Sequence, residues 1–555
     1  MLNRLISPTL IPEDIRIQSP NGSRLPDYLS QRFSQVAKRN LSRNEDNRNE
    51  DNREDDKRRV KRSLSIPYIN ELRTQRENAG LKPYNGFKYY RMPTPEEVTV
   101  SGRLAKESHP LYKFIAKPVP LKPQDFEQIL DGDKINLKIS MHGTGAIPAS
   151  EGLTHQSAWT RDMAAVGLGW TGLGDMKNAS LVAQCLYKAC STPSQREKIN
   201  RYLQPLSRDE RRGMWMPTDQ DALKWVPHVK FAINDMKELI DNKDAWGMQQ
   251  LDAFGYKLLL IGKLLEAGAI DINAIDKEMD PDEKSESTVV ALSRMLKNLE
   301  FWDDLGDLGA WENLVHSGRL SSVAAALSGI VSIRDYVEKY VNENDELPFK
   351  LSSEHDPNYG LKNFVEEMND AINKTTTVLR ERISFNSGVH EVKDDRKYDA
   401  ALAFTLVLSD ADKIGLNRKQ KLAVLRSVYG LMGETGFKRF NYDPYMGKNW
   451  NKNPISEFNP KGESSDPNQD NYRSAEWSMF DPYLATINYK LFEQSIKLND
   501  SEGTAIDFDS FYRADMHIRR TLAAVTPEDV EYERILGNGN THKVEVPKGE
   551  VQEAW

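Results

Sequence analysis

The pair Trp311-Glu312 has the clearest chemical meaning in this sequence. A carboxyl held against an indole loses water, its pKa rises, and it stays protonated near neutrality. Such a group is suited to act as a general acid toward a leaving oxygen. The plainer reading of Glu312 is an exposed loop glutamate. A second carboxylate is then needed as a base. Two glutamates offer themselves: Glu457 in a turn-rich loop, and Glu476 at the start of the last apolar helix. Glu476 also reads as a helix-capping residue, because acidic side chains favour helix N-termini.

Three further stretches have the composition of a polar-ligand site. Ala158-Trp159-Thr160-Arg161-Asp162-Met163-Ala164 sets an arginine beside an aspartate where a helix begins. Asp162 suits the helix dipole but Arg161 does not, so capping alone does not explain the pair. Together they offer a donor and an acceptor side by side, with Trp159 as an aromatic face. The alternative is a structural ion pair beside a core tryptophan. Trp246-Gly247-Met248-Gln249-Gln250-Leu251-Asp252 leads into an apolar helix. There Gln250 reads either as a ligand contact or as a cap, and Asp252 as a helix-start or buried structural carboxylate. Gly436 to Trp450 carries Arg439, Asp443 and several aromatics, a mixture closer to a binding lip than to a packed core.

The elements that must position these loops read as helices. Apolar residues recur at helical spacing over 157–173, 176–189, 246–267, 287–301, 321–341, 397–408, 418–432 and 475–496. Gly- and Pro-rich loops separate them, and alternating strand patterns are rare. Consecutive helices without a sheet leave bundles, solenoids and α/α barrels. The lack of a fixed repeat argues against a solenoid. The expected fold class is therefore all-α, a toroid of helical hairpins with its chemistry on loops at one rim.

The flanking regions differ. The block Asn-Glu-Asp-Asn-Arg occurs twice in residues 44–53, and a basic run from Lys57 to Arg62 follows. Such a segment cannot build a core and reads as a solvated extension over 1–85. A lead-in segment spans 86–130, the helical domain 131–500, and a C-terminal extension 501–555. The net charge of −8 disfavours general binding to nucleic acid or anionic membranes. Two cysteines, Cys185 and Cys190, share one apolar helical run and read as packed thiols rather than a disulfide framework. No signal peptide is readable and no stretch approaches a membrane-spanning apolar length, so the default address is cytoplasmic. Secretion by a signal of another kind stays open.

At these loops the sequence resembles the family 15 glycoside hydrolases, the glucoamylases, and the related glucoamylase-like domain of phosphorylase kinase alpha and beta subunits. The resemblance runs from about His142 to Gln494 and rests on short motifs in the family's order. Trp159-Thr160-Arg161-Asp162-Met163-Ala164 is similar to W-x-R-D-x-A. Trp246 to Asp252 is similar to W-G-x-x-Q-x-D, Trp311-Glu312 falls at the family's W-E general acid, and Gly436 to Trp450 resembles its R-Y-x-x-D-x-Y loop. The resemblance implies a six-hairpin (α/α)6 toroid. It also implies an inverting, exo-acting hydrolase releasing glucose from non-reducing ends of α-1,4-glucans. Arg161, Asp162, Trp159, Trp246, Gln250, Trp311, Arg439 and Asp443 would then hold sugar, and Glu312 would be the acid. The base would be Glu457 by analogy with glucoamylases, or Glu476 by analogy with the kinase subunits. Two departures stand out. Asn313 replaces an acidic residue frequent in fungal relatives, and residues 1 to about 120 match neither a bacterial β-sandwich nor a starch-binding module. The expected partner is an α-glucan or oligosaccharide. No metal or organic cofactor is expected, since two carboxyls supply the proton transfers. The competing reading is a non-catalytic glucan-binding or regulatory protein like the kinase subunits.

Overall fold

The computed structural model describes residues 111–115, 117, 121, 123–130, 141–149, 157–216, 225–239, 248–282, 284–299, 305–311, 316–343, 349–352, 356–383, 389–392, 398–433, 436–440, 476–502, 507–525, 530–535 and 541–546. The polar extension at 1–85 lies outside these residues. The described residues are mostly helical. The strands among them form three separate two-stranded pairs.

The helices are α1 Tyr112–Ile115, α2 Pro123–Leu130, α3 Thr160–Leu173, α4 Met176–Ser191, α5 Pro193–Arg201, α6 Arg208–Trp215, α7 Leu251–Glu266, α8 Ile272–Met279 and α9 Thr288–Leu299. They continue as α10 Leu320–Glu343, α11 Leu361–Arg382, a 3-10 turn at Ala400–Ala403 running into α12 Phe404–Val407, α13 Arg418–Tyr429, α14 Phe480–Glu502 and α15 Phe508–Ala523. Several starts are written locally. Asp175 accepts the Asn178 N–H to open α4, and Ser207 with Glu210 forms a capping box on α6.

α7 is apolar on nearly every side, and all but two of its residues are buried, from Leu251 through Leu265. A helix without a polar face has to sit at the centre. α10 packs along it, and together they form the most heavily contacted pair. The fit depends on small residues. A Cβ on Gly255 would lie 2.3 Å from the Ala325 carbonyl carbon, and one on Gly329 2.5 Å from the Gly255 oxygen. Gly262 meets Ser332 one step further along both helices, so the two run parallel. The most apolar 18-residue window of α10, within Leu320–Val341, reaches a mean hydropathy of 1.2, contrary to the expectation that no stretch would approach a membrane span. That window is 83% buried inside the protein, as befits a core helix.

The longer helices alternate in role. α3 touches α7, α7 touches α10, α10 touches the 3-10 turn and α12, and α12 touches α14. The intervening helices back this arc: α4 lies on α3 and α7, α9 on α7 and α10, α11 on α10, α13 on the 3-10 turn, and α15 on α14. The N-terminal ends of the arc helices share one rim, as the contacts below show. Elsewhere the lead-in and C-terminal segments pack together. Asp515 accepts the Leu121 N–H at 2.8 Å, and Arg519 donates to the carbonyls of Phe114 and Ile115.

Several expected boundaries shift. Residues 157–159 are strand β1, paired antiparallel with β2 Lys230–Ala232, and the helix begins only at Thr160. The pattern expected from 246 becomes helical at Leu251, and the one expected from 475 at Phe480. The pattern at 397–408 is a 3-10 turn and a single α-turn rather than one helix. α11, a 22-residue helix, is not among the expected helices. Its buried residues, Phe364, Met368, Ala371, Thr375 and Leu379, recur at helical spacing and make one amphipathic stripe, which the reading of the sequence passed over.

Candidate functional site

Arg161 is the meeting point of the rim. It leaves the first turn of α3, where β1 sets the chain direction and Thr160 N–H bonds the Val229 carbonyl. Its Nη1 donates to Gln250 Oε1 at 3.2 Å and to the Gly309 carbonyl at 3.1 Å, and stands 3.7 Å from Asp252 Oδ2. Gln250 and Asp252 are fully buried at the start of α7. Leu308 N–H bonds the Gln249 carbonyl at 2.9 Å, which stitches the same two loops again. Gly309 turns at φ +60°, and a Cβ there would strike the Arg319 side chain at 2.3 Å. A glycine is thus required for the carbonyl to face Arg161. Three of the five motif-bearing stretches meet at one guanidinium.

Trp311, two residues further, is half-buried and joins the other two. Its Nε1 donates to Asp399 Oδ1 at 2.7 Å. Its ring packs against Trp477, Phe480 and Phe404 at centroid separations of 6.1, 5.9 and 6.2 Å. The Arg439 guanidinium lies 5.5 Å from the Trp311 ring and 5.7 Å from Trp477, close enough for cation–π attraction. The backbone holds this in place: Phe437 and Trp477 exchange hydrogen bonds, and Ala400 N–H bonds the Arg439 carbonyl at 2.7 Å.

Beneath these residues lies a layer of buried charge. Asp307 Oδ1 accepts the Leu251 N–H at 3.0 Å and so caps α7. Glu391 accepts the Ser321 N–H at 3.1 Å and its hydroxyl at 2.5 Å, and so caps α10. Asp399 caps its own 3-10 turn through the Ala401 N–H. In the first two cases the capping carboxyl comes from the loop preceding the next arc helix, so each helix start is fastened to its neighbour. Arg319, fully buried, donates from Nε to the Asp307 carbonyl at 3.0 Å, and its charge favours the ionised forms of both Asp307 and Glu391. Burial nevertheless dominates. It raises the Asp307 carboxyl to about 6, with the Asp252 charge adding to the rise. It raises Glu391 to about 8, with Asp399 adding.

Trp159, by contrast, is buried with the core, 5% exposed, and Lys230 covers its ring at 5.4 Å. That placement fits the core-tryptophan reading better than a stacking platform. Asp162 is half-buried in the first turn of α3. Glu476 is half-buried, and its Oε2 accepts the Gly436 N–H at 3.2 Å, tying down the loop that carries Arg439. Trp246, Glu312, Asp443 and Glu457 lie outside the described residues, as does Asn313. Sequence reasoning missed Asp307, Arg319, Glu391 and Asp399. The available signal was a charged residue within a few positions of a predicted helix start, preceding an apolar run.

Among the described residues, no group of three or more His, Cys, Asp or Glu side chains is arranged to hold a metal ion. A cavity of about 200 Å³ lies away from the rim, between the C-terminal end of α4 and the N-terminal end of α9. Its helix end is already engaged by the protein: Asp276 takes the Thr288 N–H and the Tyr187 hydroxyl. No protein-family model matches the chain, and no curated protein matches its sequence.

Proposed function

We propose that this protein is an inverting, exo-acting glycoside hydrolase that releases glucose from α-1,4-glucans. Its arc of helices would be part of an (α/α)6 toroid closed by a further hairpin. The observation that carries the reading is the convergence at Arg161. One guanidinium holds the Gln250 amide and the Gly309 carbonyl beside the Asp252 carboxylate, and Trp311 follows two residues later. Had the Trp311 loop stood on the opposite rim, no sugar held by Arg161 and Asp162 could reach Glu312.

In this reading Arg161 and Asp162 hold the terminal sugar through paired donor and acceptor groups. Trp311, kept upright by Asp399 and braced by Arg439, offers the apolar wall. Glu312 protonates the departing glycosidic oxygen, and a second carboxylate takes a proton from water on the opposite face of the ring. The two carboxyls would stand roughly 6.5–9.5 Å apart to admit that water. Glu457 is the preferred base, because the Glu476 carboxylate is already engaged with the Gly436 backbone.

The same engagement of Glu476 favours the second reading, a non-catalytic glucan-binding protein, should Glu457 prove not to reach the site. Proton NMR of maltoheptaose incubated with the protein separates the two. Prompt appearance of β-glucose, lost in Glu312→Gln and Glu457→Gln but kept in Glu476→Gln, is the expected result. Saturable binding with no glucose released would leave only the binding role.

A further inference from the structure

Cys190 and Lys257 face each other across the contact between α4 and α7, and the proposed chemistry uses neither. Both side chains are fully buried. An amine in an apolar core is costly to bury without a partner. The nearest ring is Phe254, 4.9 Å from the Lys257 nitrogen. The polar partner is sulfur: Lys257 Nζ stands 2.5 Å from Cys190 Sγ. That spacing is shorter than an ordinary hydrogen bond, since even N–H···O bonds average about 2.9 Å and sulfur is larger than oxygen. A direct nitrogen–sulfur bond would be shorter again. A single bridging atom of oxygen size spans such a gap.

We propose that Lys257 and Cys190 form an oxidation-dependent cross-link in which one oxygen atom joins Nζ to Sγ. The oxidant is dioxygen, small and apolar enough to enter a packed core. One amine and one thiol, written as R–NH2 and R–SH for the balance, consume one molecule of it. The O–O bond breaks, and one oxygen forms the S–O and O–N bonds. The other leaves as water with the thiol hydrogen and one amine hydrogen. Sulfur and nitrogen each give up two electrons, and these four reduce the two oxygen atoms.

The cross-link fastens α4, the helix behind α3, to α7, the central helix of the arc. Cys185, on the same helix, is an internal control. It is buried too, and burial pushes its thiol up to about 11.

Intact-mass measurement of the full chain tests the proposal. Protein kept in oxygen-saturated buffer is expected to be one oxygen heavier and two hydrogens lighter than protein prepared without oxygen, and to revert with dithiothreitol. Peptide mapping should join the Cys190 peptide to the Lys257 peptide. Cys190→Ser and Lys257→Met should each abolish the change, and Cys185→Ser should keep it. The linked form should melt several degrees higher, because the bridge restricts the unfolded chain. An unchanged mass in oxygen overturns the proposal. So does a change that survives Cys190→Ser, a simple gain of oxygen, or a loss of two hydrogens alone. The mapping on wild-type protein decides the matter even where a variant fails to fold.

Discussion

Two of the buried polar clusters among the described residues are built differently. The rim cluster gathers Arg161, Gln250, Asp252, Asp307, Arg319, Glu391 and Asp399 from successive loops. It ends upward in half-buried Trp311. The second cluster is closed. His517 on α15 bonds Asp481 on α14 at 2.8 Å and the Tyr429 hydroxyl on α13 at 3.0 Å, and Asn488 donates to the same hydroxyl at 2.7 Å. His517, Asp481 and Asn488 are fully buried, and Tyr429 is buried as well. An aspartate–histidine–tyrosine relay looks catalytic on paper. Here it clamps three helices together. What separates a candidate site from a clamp is the convergence of several loops on a group that still reaches outward, since both clusters bury charge.

The largest expected difference comes from Arg161→Met. It removes a sugar-holding donor and leaves Asp252 buried without that cation, which costs ~3 kcal/mol of stability. Glucose release should fall ~10–100-fold per folded molecule, as expected for a hydrogen bond to a charged group. Calorimetry and the NMR assay read the two effects. Asp481→Ala should also cost ~3 kcal/mol, because it strips both His517 and Arg520 of their carboxylate. Turnover per folded molecule should stay unchanged, and a loss of turnover would erase the distinction between the clusters.

The clusters should also respond oppositely to pH. Glu391 keeps its proton up to about 8 in the folded chain, against an ordinary value of 4.5. The folded state therefore binds the extra proton across that window, and stability falls as pH rises through it. Burial lowers the His517 pKa below its ordinary 6.5, opposed by Asp481. Its contribution is full above 6.5 and is lost as pH falls below that value. Melting temperatures of Glu391→Gln should decline less than wild type between about pH 5 and 8. Those of His517→Gln should decline less on acidification. The smallest effect is expected from Asp399→Asn. An amide oxygen can still accept the Trp311 and Ala401 N–H groups, so the stability change should stay within about 1 kcal/mol. A near-native melting curve with unaltered tryptophan fluorescence is the check.

The long apolar helices were legible because burial writes itself as periodicity, and α7 and α10 have no other way to satisfy their side chains. α11 was passed over although Phe364, Met368, Ala371, Thr375 and Leu379 keep helical spacing, because the polar and charged residues of this backing helix, Asn, Lys and Glu among them, outnumber its apolar ones. The brief strands at 157–159 and 230–232 hide for another reason. They are paired across more than seventy residues, and no local pattern encodes a partner. The site was legible as a set of loops. Arg161, Gln250, Trp311 and Arg439 do meet or brace one another through described contacts. The buried layer of Arg319, Glu391 and Asp399 was not legible, because a lone charge near a helix start looks like ordinary capping until its partners are in place.

The crossing at Gly255, Ala325 and Gly329 fixes the rim like a ruler. With main chain nearly touching main chain, no side chain is available there to yield, so the spacing between the starts of α7 and α10 is locked by the thickness of the backbone itself. Swapping one leucine for another aliphatic elsewhere in the interior would be absorbed by rotamers and leave that spacing alone. A single methyl added at Gly255 would act as a wedge, driving Gln250 and Asp252 away from Arg319 and Trp311 without touching any of them.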